Sequence, residues 1–455
     1  MEPVVAIVVA GGLGTRMRSK LAKGLHRVAG RTMVEHVSEA VRRAGIDRQV
    51  VIIGYQADRV REVLGDSVEY ALQPEQKGTG HAVNCARPLL AGFNGNVLVV
   101  FADNPLLSPE TLREVIRAHQ TSGAQATVLT AEVPDPGRLG RVLRDGEGNF
   151  LGTVETADAT GEQRKIKEVV SGVFCFQGPA LFDALARIRP NNAQGEYYLT
   201  DVFKILMADG GRVIAHRAAD CREILAADNR AQLSVVEKTL RGRIRERLML
   251  EGVTLVDPDS TYIDADCQIG RDTVVHPQTF IEAGTVIGED CEIGPASRLR
   301  GCRLGNGVRV QFSVATQAVI EDGVEVGPYA HLRPGTVLRA GAKVGDFVEI
   351  KQSEVGAGTK INHLAYIGDA EIGAGTNVGA GVITVNYDGK KKHKTIVGQR
   401  VMVGCNANLV APVSLGDDSY IAAGSTITRN VPEGALAVAR ERQVNKPGWK
   451  DRRGQ

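Results

Sequence analysis

The chain has 455 residues, 43% of them apolar and 24% charged, with a net charge of +2. That even balance argues against a general nucleic-acid binder, which carries a basic excess. No run approaches the roughly 18 apolar residues of a membrane-crossing helix, and the N-terminus lacks a charged-then-apolar leader pattern. The length calls for two or three domains. Seven scattered cysteines without a CxxC pair read as reduced thiols of a cytoplasmic protein. Aromatics are few at 4% and glycines numerous at 53, a combination that a repeat architecture explains.

Residues 1–227 alternate short apolar runs with helical patterns. VVAIVVA (4–10), VVII (50–53), VLVVF (97–101) and ATVLTAEV (126–133) read as buried strands, while MVEHVSEAVRRAG and PETLREVIRAHQ carry helical spacing. This alternation predicts a parallel sheet covered on both faces, with ligands beyond the carboxyl ends of its strands.

The loop after the first strand, AGGLGTRMRSKLAKGLH (10–26), lies at such an end. It lacks the GxxxxGK[ST] of a P-loop, and Met17 stands where a dinucleotide fingerprint needs its last glycine. Backbone N–H groups of Gly11–Thr15 can cradle a nucleoside triphosphate, and Arg16 and Lys23 can neutralise charge migrating to a leaving pyrophosphate.

Residues 228–252 read as one helix with an apolar stripe on a basic body, capped by Asp228 or Asn229, that connects two domains. From 253 to 455 the pattern changes. Ile263, Ile269, Val275, Ile281, Ile287, Ile293 and Leu299 recur every six residues, and the series resumes at Ile320 and again at Val397. A hexapeptide period predicts a parallel β-helix with three short strands per coil and aliphatic side chains filling a narrow interior. Phase slips near 300–320, 350–355 and 367–372, and the insert NYDGKKKHKT (386–395), are expected to leave the helix as external loops.

The glycine-rich loop, with LQPEQKGTGHA, FADNPLL, NNAQGEYYLTD and the repeat half, resembles one family over nearly the whole chain. It is the family of bifunctional N-acetylglucosamine-1-phosphate uridylyltransferases and glucosamine-1-phosphate N-acetyltransferases. The resemblance implies a Rossmann-like nucleotidyltransferase domain followed by a left-handed parallel β-helix. It also implies supply of UDP-N-acetylglucosamine for bacterial cell walls. For the first reaction it implies UTP and N-acetylglucosamine-1-phosphate as substrates and Mg²⁺ held by Asp103, with Asp228 where the second ligand falls. Ala10, Gly11, Gly12, Gly14, Thr15, Arg16 and Lys23 would surround the nucleotide. Gln73, Gly78 and Thr79 would select uracil, and Gly140 and Glu155 would hold the sugar.

For the second reaction the resemblance makes His363 the general base, a role that a neutral imidazole near pH 7 suits. Arg333 and Lys351 would bind the phosphate of glucosamine-1-phosphate, and Tyr366 and Asn377 its sugar. Asn386 would orient His363 and the thioester. Acetyl-CoA would lie against Ala380, Asn386, Tyr387, Ala423 and Arg440, with Cys405 where the family commonly has serine. The basic run KKKHK (390–394) could meet the coenzyme's phosphates. The implied partner is the chain itself, as a homotrimer with coenzyme sites between subunits, and neither nucleic acid nor membrane is implied.

Departures from the family cluster in the first half. The family usually has alanine at Gly11, Pro-Lys-Val at Ala22-Lys23-Gly24, glycine at Ala102, asparagine at Val170 and asparagine at Asp228. They motivate one alternative, an acetyltransferase whose N-terminal domain has altered nucleotide specificity or lost uridylyl transfer. A purely structural solenoid and a γ-type carbonic anhydrase are rival readings. The His363, Asn377 and Asn386 set argues against the first, and the lack of a third suitable histidine against the second.

Overall fold

The computed structural model describes residues 2–450; residues 451–455, which end the NKPGWKDRRGQ tail, lie outside the described residues. The chain divides into two compact units, Met1–Leu240 and Arg241–Gln455.

The first unit is built on a nine-stranded sheet. Strand β1 (Val4–Val9) lies in its middle, in parallel with β2 (Gln49–Ile53) on one side, which in turn pairs with β3 (Glu69–Leu72). On its other side lies β4 (Asn96–Phe101). Ala6 and Val8 of β1 enter one apolar cluster, while Val5 and Ile7 enter the other. This period of two buries both faces, which is why the strand is a continuous apolar run. Strand β5 (Ala126–Glu132) does not join β4 directly. A hairpin of β6 (Arg141–Arg144) and β7 (Phe150–Val154) precedes β8 (Glu168–Gln177), and β8 inserts antiparallel between β4 and β5. The sheet is therefore mixed where the sequence predicts a parallel one. The edge strand β9 (Val213–Arg217) pairs in parallel with β5.

The predicted helices form where their caps direct. Helix α1 (Met33–Arg43) starts at a reciprocal Thr32–Glu35 capping box. After the short α2 (Thr79–Asn84), helix α3 (Pro109–Ser122) starts at Ser108, whose hydroxyl accepts from the Thr111 N–H. Helix α4 (Arg230–Leu250) crosses the boundary between the units. Its first-turn donor Gln232 N–H meets the Asn229 side chain at 3.0 Å, which leaves the Asp228 carboxylate available to other partners.

The second unit is three parallel sheets of 11, 10 and 9 short strands, visited in turn, so the backbone winds as a triangular β-helix. The six-residue aliphatic positions face inward and stack coil on coil: Val275 on Ile293, Ile281 on Leu299, Ile287 on Leu304. Burial of each such side chain contributes about 1.5–3 kcal/mol. The phase slips do not leave as loops. They shorten coils, so that Leu299 stacks on Ala315 and Ile350 on Ile367. In parallel β-strands the backbone ladder tolerates a shorter corner provided the inward side chain keeps its place. Residues 386–394 of the insert do leave the helix, between strands Ile383–Val385 and Thr395–Val397, and Thr395 rejoins the ladder beside Ala370.

Candidate active sites

In the first unit the carboxyl ends of β1 and β4 lie side by side, with Val9 beside Phe101 and the Ala102 N–H on the Val9 carbonyl. The glycine loop and Asp103 therefore open into one cleft of about 230 Å³, lined by Ala10, Gly12, Lys23, Gln73, Gly78, Thr79 and Asp103 among others. Gly14 has φ +64°, and a Cβ there would fall 2.7 Å from the Lys23 Cβ. Glycine thus serves both the turn and the close seat of Lys23. Gly12 faces open space.

Gln73 is buried, and its Nε2 donates toward the Gly78 carbonyl (3.4 Å) and lies 3.2 Å from His81 Nδ1. Its carbonyl oxygen consequently faces Gly11, where an added Cβ would approach it to 2.9 Å. The Thr79 hydroxyl accepts from the Leu199 N–H at 3.0 Å, so this pair also pins the segment that follows NNAQGEYY.

Asp103 and Asp228, 125 positions apart, converge because the Asp103 carbonyl accepts from the Ala227 N–H at 3.1 Å. Both carboxylates take the Lys23 ammonium, and Arg16 reaches Asp228 at 2.8 Å. Burial alone would lower the Lys23 pKa, but the two carboxylates outweigh it and raise it above the usual lysine value. Among the described residues no cluster of three or more acidic, histidine or cysteine side chains is poised for a metal. Two convergent carboxylates nonetheless fit Mg²⁺, which keeps several waters and shares its remaining positions with substrate phosphates.

A larger cavity of about 1450 Å³ opens beside this point, lined by Thr15, Arg16, Glu155, Tyr198 and Asp228. Burial raises the Glu155 pKa, and the Thr200 hydroxyl donates to its carboxylate at 3.4 Å. A Cβ on Gly140 would stand 3.4 Å from that carboxylate. Glu196 lines both cavities. The motif NNAQGEYYLTD holds it, but only the fold shows that it faces both.

Two departures from the family are absorbed locally. A Cβ at Gly24 would meet the Ala102 Cβ at 3.3 Å, so the methyl of Ala102 occupies space that the missing Gly24 side chain leaves. Val170 is buried in an apolar cluster with its N–H on the Gly140 carbonyl, and it lines neither cavity. Beside it, buried Asn104 donates its amide to the Ser171 carbonyl at 2.8 Å.

In the second unit the candidate residues fall on distinct faces of the prism. Strands Glu349–Lys351 and Tyr366–Gly368 belong to one sheet, in which Glu349 lies beside Tyr366 and Lys351 beside Gly368. Arg333 precedes them on the coil before, its guanidinium 2.7 Å from Glu349. The Asn386 amide donates to the Asp369 carboxylate and approaches the Tyr366 hydroxyl at 3.4 Å. Gly368 makes this cluster possible, because a Cβ there would stand 2.5 Å from the Tyr366 hydroxyl.

The insert folds over the same sheet. Tyr387 pairs with Lys392, and Asp388 accepts from the Lys390 and Lys391 N–H groups and from His393. The nearby charge of Lys392, with burial, lowers the Lys351 pKa against the opposing pull of the Asp369 carboxylate, 4.0 Å away. Three cations, Arg333, Lys351 and Lys392, are thereby gathered. The sequence gives Lys392 only as part of a basic run, and the fold singles it out.

His363 and Asn377 belong to the preceding sheet. Asp346 stands directly beside His363 in register, and its carboxylate is 2.6 Å from His363 Nδ1. Within one chain Asn386 is engaged by Asp369 and Tyr366, and the partner of the His363 ring is Asp346. Asn377 stacks between Lys360 and Met402. The same sheet aligns Ala380 after His363, with the Asn406 N–H on the Ala380 carbonyl and the Gly424 N–H on the Cys405 carbonyl. Ala380, Cys405 and Ala423 therefore follow His363 coil by coil, and Arg440 approaches Gly424.

The first unit's fold and paired clefts define a nucleotidyltransferase domain, and the second unit is a hexapeptide-repeat transferase. Residues 6–202 match the MobA-like NTP transferase domain, and residues 266–301 and 394–429 the bacterial transferase hexapeptide (six repeats). The chain is 48% identical over 447 residues to the bifunctional protein GlmU of Geobacillus sp. (strain WCH70), covering 98% of this chain and 97% of that protein. It is 49% identical over 453 residues to the bifunctional protein GlmU of Caldanaerobacter subterraneus subsp. tengcongensis, covering 100% and 99%. The chain belongs to the bifunctional GlmU family. Among the described residues no helix is long and apolar enough to cross a membrane.

Proposed function

We propose that the chain acetylates glucosamine-1-phosphate from acetyl-CoA in its β-helix and then transfers a uridylyl group from UTP to the product in its N-terminal unit. It thereby supplies a nucleotide sugar for cell-wall synthesis in the cytoplasm. The observation that carries this reading is the coexistence of two separate sets of chemistry-bearing residues, Asp103–Asp228–Lys23–Arg16 and His363 with the Arg333–Lys351–Lys392 group. The full-length match to bifunctional relatives does not favour the acetyltransferase-only alternative.

In uridylyl transfer a phosphate oxygen of the sugar phosphate attacks the α-phosphorus, and the bond to pyrophosphate breaks. Asp103 and Asp228 would hold Mg²⁺, which when bound supplies charge neutralisation at the phosphates. Arg16 and Lys23 stabilise the charge that builds on the leaving group. The Gln73 carbonyl, facing Gly11, suits the N3–H of uracil. Glu155 and Gly140 orient the sugar.

In acetyl transfer His363 takes a proton from the substrate amine, the nitrogen bonds to the acetyl carbon, and the carbon–sulfur bond breaks. The proton then leaves with the thiol. Arg333, Lys351 and Lys392 hold the sugar phosphate, and Tyr366 the sugar.

The acting form is a homotrimer. Asn377 and His363 lie on one face of the prism and Lys351 and Tyr366 on the next, so a pocket enclosing all four calls for a second copy. The corner beside His363 carries exposed Phe312, Tyr329, Phe347 and Leu364 in left-handed conformations, with Tyr329 and Phe347 stacked at 5.5 Å. An exposed apolar ladder of this kind suits burial against a copy.

Two variants test the reading. Asp103→Asn should lose pyrophosphate release about a hundredfold or more while thiol release from acetyl-CoA persists, and His363→Ala should do the reverse. Loss of both activities in either folded variant, or no pyrophosphate release from UTP by the parent, would overturn it.

A further inference from the structure

We infer that Asp346 is a positioning residue for acetyl transfer, whose carboxylate fixes the His363 ring with Nδ1 protonated and Nε2 free to take the amine proton. The inference rests on His363 being the base, as proposed above, and adds the group through which that base is set.

The geometry is direct. Strands Lys343–Asp346 and Lys360–His363 are neighbours in a parallel sheet, with Asp346 and His363 in register. Side chains so paired point to the same side, about 4.8 Å apart along the stack. The Leu364 N–H on the Asp346 carbonyl, at 2.9 Å, locks that register from the backbone. The contact of 2.6 Å between Asp346 Oδ1 and His363 Nδ1 lies in the range of a charge-assisted hydrogen bond.

An ionised carboxylate can only accept, so the ring nitrogen facing it must be the donor. The hydrogen bond to His363 holds the Asp346 carboxyl below its usual range, which keeps it ionised at neutral pH. Neutral His363 is then protonated on Nδ1, and the lone pair of Nε2 points away from the carboxylate. When Nε2 gains the amine proton, the same carboxylate faces the new imidazolium. This is the role of the orienting carboxylate in other base–carboxylate pairs.

The groups around the ring are few. The preceding strand carries Lys343 and Asp346, and the ring's own strand Lys360. The strand Asn377–Val378 on the other side carries no ionisable group, and Tyr366 stands past the corner. The Lys343 ammonium is held by Glu325 at 3.0 Å. Among these groups Asp346 is the carboxylate in contact with the ring. Both side chains are partly exposed in one chain, 63% for His363 and 39% for Asp346, so solvent moderates the pair until a substrate or a copy covers it.

Steady-state acetyl transfer by Asp346→Asn, Asp346→Glu and His363→Ala, each across pH 5.5–9, tests this. Asp346→Asn should cut kcat about tenfold or more at every pH, with KM for both substrates within about twofold. Asp346→Glu should recover most of the activity. Pyrophosphate release from the other unit, measured on the same samples, reports intact protein. If His363→Ala is inactive while Asp346→Asn keeps the parental kcat, the positioning role is overturned and the base assignment stands. If His363→Ala retains full transfer, the underlying reading fails.

Discussion

Gly368→Ala offers a sharp test of the acceptor site. Gly368 ends the strand Tyr366–Gly368 and is buried against its own neighbours. An added Cβ would stand 2.5 Å from the Tyr366 hydroxyl, 2.7 Å from that ring's Cζ and 2.7 Å from the Asn386 amide nitrogen. Carbon contacts settle near 3.5 Å, so the ring tip and the amide must each retreat by about half an ångström or more. Overpacking of this kind costs about 1–3 kcal/mol. Expressed in the transition state, that is roughly a tenfold to hundredfold fall in kcat/KM for glucosamine-1-phosphate. Thiol release from acetyl-CoA at varied sugar phosphate measures it, with pyrophosphate release as the internal reference, expected unchanged. A kcat/KM within twofold of the parent would show that Tyr366 and Asn386 do not need their present positions, and would refute the cluster as the sugar site.

Other consequences follow from the same contacts. Lys23→Met removes the cation that both carboxylates share, so calorimetry should show tighter Mg²⁺ binding to the nucleotide-free protein while pyrophosphate release falls about a hundredfold. Gly24→Val should lower the half-inactivation temperature of pyrophosphate release through its clash with Ala102. Gly24→Val with Ala102→Gly should recover it, and equal losses in the single and double variants would deny the exchange of volume. Asp388 is pulled down to about 2 by the Lys391 N–H, His393 and the Lys390 N–H. A depressed carboxyl contributes above its unfolded value near 4 and loses that contribution as pH falls through about 2. The insert should therefore stay protected from hydrogen exchange at pH 5, whereas Asp388→Ala should expose it there and raise KM for glucosamine-1-phosphate by releasing Lys392.

Much of this molecule is legible in its sequence because one physical rule generates half of it. An interior wide enough for one aliphatic side chain per strand writes Ile, Val or Leu at every sixth position, and that period is visible without a structure. The glycine loop is equally readable, since φ +64° at Gly14 and the seat of Lys23 demand what the residues announce. What the pattern hides depends on stacking between coils. Asp346 meets His363 across seventeen positions, and whether that spacing brings two side chains together depends on which coils are shortened, which a repeat count of six leaves open. Lys392 is one of four lysines in a run until the folded insert, in which it pairs with Tyr387, brings its charge near enough to lower the Lys351 pKa. The exchange between Gly24 and Ala102 joins two loops far apart in the chain, and each looks like a loss when taken alone. Strand β8 is hidden for a different reason: Ser171-Gly172 divides it into two short apolar runs, Val169–Val170 and Val173–Phe176, and its register breaks between Val170 and Phe174, so the sequence does not present it as one strand.

One chain performs both steps, acetyl transfer before uridylyl transfer. The most direct measurement follows thiol and pyrophosphate release together from a single sample holding glucosamine-1-phosphate, acetyl-CoA, UTP and Mg²⁺. Equal amounts of both products are expected, with thiol release leading, UDP-N-acetylglucosamine accumulating, and almost no pyrophosphate when acetyl-CoA is left out. Pyrophosphate release from glucosamine-1-phosphate without acetyl-CoA, or thiol release never followed by pyrophosphate, would contradict it.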